Sequence, residues 1–206
     1  IPDIVDPTAT LPHYMYSVYG VDKPIGVAVS EDGGRIYVTE GGGVKALRTF
    51  DASGSLITEG SPAGTIDSGR VPIYDARDPL TGEIYVSDRL RFCIDIYDAE
   101  GIYQRTMTKP TGVDTWAPLG LAFATDGTLY VSDVGSEDHR VLAIDREGDV
   151  IDTITTESKL QYPNGIAPVS DAVYVTDSNN GQLVRSDATR LDERRPGIAG
   201  RVDGGD

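Results

Sequence analysis

Apolar and polar positions alternate along this chain in short bursts of about five residues, and the bursts recur in a fixed order. From Lys23 to Ile57 that order is a Pro-x-Gly opening, an apolar run, an Asp-Gly turn, an Ile-Tyr-Val run ending at an acid, a third run ending in Asp51, and a Gly turn. Two-residue alternation bounded by Gly, Pro and Asp is strand patterning. The order returns three more times. Its opening prolines, Pro24, Pro72, Pro118 and Pro163, stand 48, 46 and 45 residues apart, and its tyrosines, Tyr37, Tyr85, Tyr130 and Tyr174, repeat at 48, 45 and 44. No stretch strongly signals a helix.

A unit of about 45 residues holding several short strands is the pattern of a β-propeller blade. The chain is therefore expected to be all-β and a single domain over residues 1–206, with blades starting near 24, 72, 118 and 163. In the third copy Leu121 and Phe123 fall on one face and Ala122 and Ala124 on the other, so both faces are apolar and each sheet is covered on both sides. Ile102 to Thr108 and Val150 to Thr156 read as outer strands. Residues 14–20, with Tyr14, Tyr16 and Val18 alternating with Met15 and Ser17, read as the outer strand of a terminal blade. Pro168 is expected either to shorten the first strand of the fourth copy or to lie at an unpaired position, because proline donates nothing to a ladder. Residues 188–206 form either a polar tail or a truncated fifth blade.

The units resemble NHL repeats. Copies one, three and four carry a Pro-x-Gly start, and copies two, three and four carry Tyr85-Val86-Ser87-Asp88, Tyr130-Val131-Ser132-Asp133 and Tyr174-Val175-Thr176-Asp177. Copy one has Glu40 in place of the acid, and copy two has Tyr74-Asp75 where Gly-Val would stand. The resemblance implies a six-bladed ring, of which this chain would supply four blades as a fragment or as one subunit of a larger assembly. The alternative is a closed four-bladed ring.

Composition narrows the function. A net charge of −15 opposes binding to a phosphate backbone, so nucleic acid is not an expected partner. No apolar run approaches the length of about 18 residues that spans a membrane. Lysine supplies only four of the eighteen basic residues and Asp outnumbers Glu, a bias that suits an extracellular or periplasmic setting, although no signal peptide is visible. The single cysteine, Cys93, makes no internal disulfide and reads as a small buried hydrophobe.

Candidate chemistry is sparse. Asp88, Asp133 and Asp177 obey the repeat, as structural acids do, and are expected to accept amide hydrogens from the turn that follows. Gly135-Ser136-Glu137-Asp138-His139 adds polar residues to a loop near Asp133 and reads chiefly as solvated. Only His13 and His139 exist, so the zinc site of the NHL-like amidating lyase, which needs several histidines, cannot be built from this chain. The favoured reading is a non-enzymatic scaffold that binds a protein or glycan. Trp116, Tyr74 and Tyr162, placed in the loops that enter the inner strands, and Asn164 would be its binding residues. Packing between blades is the competing role for these aromatics. The alternative is a Ca²⁺-dependent propeller hydrolase, lactonase or lyase with its site at the ring centre, for which Asp75, Asn164 and Asp171 are the available oxygen ligands. The favoured reading needs no cofactor.

Overall fold

The structure is a computed structural model that describes residues 14–135, 137–156 and 159–187. Fifteen strands follow one another as antiparallel meanders. Blade one is β1 (Pro24–Val29), β2 (Arg35–Glu40), β3 (Leu47–Asp51) and β4 (Leu56–Gly60). Blade two is β5 (Pro72–Arg77), β6 (Ile84–Asp88), β7 (Cys93–Tyr97) and β8 (Tyr103–Met107). Blade three is β9 (Pro118–Phe123), β10 (Leu129–Asp133), β11 (Arg140–Ile144) and β12 (Val150–Ile154). Blade four has three strands, β13 (Pro163–Pro168), β14 (Ala172–Asp177) and β15 (Gln182–Asp187). The expected β-propeller architecture is what forms, and among the described residues the one helical element is a short 3-10 turn at Asp67–Gly69.

Each apolar alternation becomes a seam between blades. Tyr37 and Leu47 of blade one pack on Ile84, Val86 and Tyr97 of blade two. Tyr85, Ile94 and Ile96 meet Leu129, Val131, Leu142 and Ile144 of blade three, whose opposite face, with Tyr130, Val141 and Ala143, meets Val173 and Val175 of blade four. One rule therefore builds three interfaces: the strand-two tyrosine of a blade faces the strand-two aliphatic pair of the next. Truncating a side chain such as Leu142, only 1% exposed, would cost about 2–5 kcal/mol.

The inner strands line the ring, β1 against β5, β5 against β9 and β9 against β13, and no comparable packing returns from β13 to β1. The alternative of a closed four-bladed ring is thus corrected. The blades form an open arc, and the free faces stay exposed: Ile25, Val27 and Val29 on blade one are 46%, 65% and 49% exposed, and Leu183 on blade four is 65% exposed.

Two local expectations also change. Of the two readings of Pro168, β13 takes the second: it is not shortened, and Pro168 ends the strand opposite Val173, where the Val169 amide turns to donate to the Ala172 carbonyl at 2.8 Å. At the end of a strand, the missing N–H of proline costs no ladder bond. Residues 14–20 form no ladder; they lie along blade one, where the Tyr16 hydroxyl donates to the Ala52 carbonyl at 2.7 Å. Residues 188–206 lie outside the described residues.

Candidate functional site

Every inner strand carries a register shift just after its proline, between Pro24 and Val27, Pro72 and Asp75, Pro118 and Leu121, and Pro163 and Ile166. The bulge takes backbone groups out of the ladder, and the Ser or Thr before each strand-two acid engages them. The Gly26 amide donates to Thr39 Oγ1 at 2.7 Å, and Thr39 donates to the Ile73 carbonyl of blade two. Likewise Tyr74 N donates to Ser87 at 3.2 Å, Ser87 donates to the Leu119 carbonyl at 2.7 Å, and Ser132 donates to the Asn164 carbonyl at 3.3 Å. One hydroxyl per blade therefore ties its own inner strand or the next one into the ring. The variable position of Tyr-Val-x-Asp is Thr or Ser in all four copies, a signal that points to these hydroxyls.

The acids that follow act as expected. Asp88 Oδ1 accepts from the Val71, Leu90 and Arg91 amides at 3.2, 2.9 and 3.0 Å. Asp133 accepts from Ala117 and Gly135 at 2.9 and 3.1 Å and pairs with Arg140 at 2.9 Å, and Asp177 accepts from Gln161 at 2.7 Å. Each carboxylate thereby pins the loop leading into its blade to the loop between its second and third strands.

Because the strands alternate in direction, these anchored loops share one end of the blades, here the loop face, and the strand 1–2 and 3–4 hairpins share the other, the turn face. Residues 21–23, 41–46, 61–71, 89–92, 108–117, 134–135, 137–139, 155–156, 159–162 and 178–181 make up the loop face. Among the described residues all five non-glycine residues with positive φ lie on it: Lys23 (53°), Lys45 (51°), Phe92 (52°), Lys159 (58°) and Tyr162 (62°). A bulky side chain in that region is strained, and such strain concentrates at binding and catalytic sites.

Three of these residues frame a continuous surface. Phe92 and Leu90, 55% and 49% exposed, project from the β6–β7 loop. A groove of about 280 Å³ runs from Arg89 and Phe92 past Ala117 and Val134 to Tyr162. Val134 also lines a shallow depression with Thr115, Glu137, Asp138, His139, Lys159 and Gln161. The Tyr162 amide donates to His139 Nδ1 at 2.7 Å, and the two rings meet edge to face at 6.1 Å. A neutral imidazole accepting at Nδ1 keeps its proton on Nε2. His139 is therefore set up as a hydrogen-bond donor, and serving as a base through Nε2 would require a different tautomer.

The expected binding residues separate. Tyr162 lies on this surface, and Asn164, second in β13, is half-buried and donates to Ser178 Oγ at 3.1 Å. Tyr74 is inside β5, not in a loop. Trp116 is 7% exposed and packed with Tyr85, Ile94 and Leu129 between blades two and three, so its ring presents no anchoring face. Phe92 and Leu90 were not anticipated: Phe92 adjoins the apolar strand that begins at Cys93.

The oxygen ligands proposed for Ca²⁺ are not brought together. Asn164 opens β13 while Asp171 lies beyond that strand's far end, beside Arg185 at 3.2 Å. Asp75 sits mid-strand against blade one, where a Cβ on Gly26 would fall 2.2 Å from its Oδ1. Neither of its carboxyl oxygens has a hydrogen-bond partner. Burial pushes this carboxyl up to about 7, with the nearby amides of Asp75 and Ala28 opposing more weakly. Among the described residues no three His, Cys, Asp or Glu side chains converge as a metal site. Burial pushes the Cys93 thiol up to about 12, which leaves almost no thiolate at neutral pH.

An arc of meander blades around a common centre, with its irregular loops gathered at one end, defines a β-propeller, and solved structures of that class are similar to it. Virginiamycin B lyase from Staphylococcus aureus, in a catalytically inactive histidine-to-alanine form with quinupristin, is 20% identical, with TM-score 0.59 over 79% of this chain and 54% of its own. Hydrazine synthase from Kuenenia stuttgartiensis is 17% identical, with TM-score 0.57 over 86% and 53%. A protein of unknown function from Bacteroides caccae is 13% identical, with TM-score 0.58 over 80% and 63%. This chain thus spans about half the length of the first two. No family model matches it, so the likeness to NHL repeats remains a resemblance. Among the described residues no helix is long and apolar enough to cross a membrane.

Proposed function

We propose that the chain is a non-enzymatic binding module that holds a protein partner outside the cytoplasm through the loop face of blades two to four. The observation that carries this reading is the run of strained residues on the loop face, exposed Phe92 and half-buried Tyr162 along the groove and exposed Lys159 in the neighbouring depression, on an otherwise regular scaffold. Phe92 and Leu90 offer apolar anchors. The neighbouring depression offers an Nε2–H donor from His139 and carboxylates from Glu137 and Asp138. Rigid strands with chemically varied loops are the usual arrangement for recognition.

A displayed random-peptide library tests it. Selected binders should lose affinity on the order of tenfold or more with Phe92→Ser or Tyr162→Ala, as expected for aromatic anchors, and should be unaffected by Glu100→Ala on the turn face. Binders insensitive to both loop-face changes would overturn the proposal, and capture by a glycan array alone would transfer it to carbohydrate.

One observation favours a second reading, a lyase. The S. aureus enzyme is described as inactive when a histidine is replaced, and His139 lines the depression here. Incubation with quinupristin followed by mass spectrometry separates the two readings. The binding proposal expects no product, and turnover lost in His139→Ala would establish the enzyme.

A further inference from the structure

The two ends of the arc are the two halves of the interface repeated inside it. Blade four leaves Thr176, Leu183 and Arg185 exposed and Tyr174 half-buried, at the positions that Thr39, Leu47, Thr49 and Tyr37 hold in the seam between blades one and two. Blade one leaves Val27, Val29, Ile36 and Val38 less than fully buried, Ile36 and Val38 standing where Ile84 and Val86 receive blade one. From these complementary faces we infer that a second copy of this chain docks head to tail, the blade-four face of one copy covering the blade-one face of the other.

Two further features specify the contact. In blades one to three the strand-two hydroxyl donates to the carbonyl of the residue after the next blade's proline, at Ile73, Leu119 and Asn164. Thr176 holds that position in blade four, is exposed, accepts the Gly165 amide at 2.8 Å and donates only at the long distance of 3.4 Å, to the Gly165 carbonyl. Its acceptor in the second copy is the carbonyl of Ile25, which follows Pro24. Among the described residues blade four has three strands where the other blades have four. Residues 14–20 have no ladder of their own and already lie along blade one, fixed by Tyr16 on Ala52. Docking brings that segment of one copy beside blade four of the other. Heterologous contacts of this kind close into rings or continue as chains.

Light scattering on the size-separated protein tests the inference. The expected mass is twice the 22.0 kDa of one chain or a higher multiple. Because each copy carries a charge of −15, association should tighten as salt screens the repulsion. Val27→Asp and Leu183→Lys should each give monomers with an unchanged circular-dichroism spectrum, and mixing the two variants should restore a dimer, because one good face remains on each. A monomeric wild type, or an oligomer that survives both substitutions, would overturn the inference.

Discussion

The two ends of the blades solve the same problem, reversing a strand, with different residues. On the turn face glycine occupies the positive-φ positions, at Gly33, Gly54, Gly82, Gly101, Gly127 and Gly148. Asp51, Asp98 and Asp145 cap the three strand 3–4 hairpins alike, each accepting two amides: Ser53 and Ser55, Glu100 and Ile102, Glu147 and Asp149. On the loop face Phe92, Lys159 and Tyr162 hold the same strained region with full side chains. One end follows the requirements of folding, and the other departs from them where exposed aromatic surface is presented. Local conflict of that kind marks function more sharply than composition does.

The largest expected effect comes from the anchor that holds the loop face in place. Asp133→Ala strips Arg140 and two amides of their buried acceptor and should cost about 3–5 kcal/mol in denaturant unfolding.

A pH titration separates the ring interior from the turn face. The folded pKa of Asp75 is raised from 3.8 to about 7, so the folded state holds its proton more tightly. Its favourable contribution is complete below about pH 4 and is lost as pH rises toward 7, by on the order of 4 kcal/mol. On the turn face the hydrogen bond from Ser53 holds Asp51 below the usual carboxylate range, and that from Ser30 does the same for Asp32. Their contributions are present above pH 4 and disappear as pH falls through those lowered values. Asp75→Asn should therefore flatten the stability curve between pH 4 and 7 and leave the acid limb in place; an unchanged slope would show that Asp75 titrates normally.

Next comes a crossed pair. Gly101→Ala forces a side chain into the left-handed region with its Cβ 2.1 Å from Thr49 Oγ1, and should cost on the order of 1–2 kcal/mol without altering partner binding. The smallest effect on stability belongs to Phe92→Gly. Relief of strain there opposes the added chain entropy of glycine, so stability should shift by less than about 1 kcal/mol while binding is lost.

Much of the fold was legible because a repeat averages out local ambiguity: four prolines and four tyrosines in register fix the blades, and Asp88, Asp133 and Asp177 declared their turn-anchoring role by recurring. Trp116 could not be placed as surely, since an aromatic just before an inner strand serves equally as an anchor or as filling between sheets, and only the path of the chain decides. Phe92 escaped notice because an apolar residue beside Cys93 and Ile94 continues a strand pattern. Its backbone, turned to a φ of 52° by the Asp88 carboxylate gripping the Leu90 and Arg91 amides, breaks that pattern in space. Asp75 stood out in the sequence as the acid in place of an aliphatic residue, but the separation of Asn164 from Asp171 depends on the length of β13, which the sequence does not display.

Hydrogen exchange of the chain with a selected partner bound tests the division of labour most directly. Slowed exchange should appear at residues 89–92, 134–135, 137–139 and 159–162, with none added at the hairpins 52–55, 99–101 and 146–148. Protection confined to those hairpins would contradict the assignment of binding to the loop face.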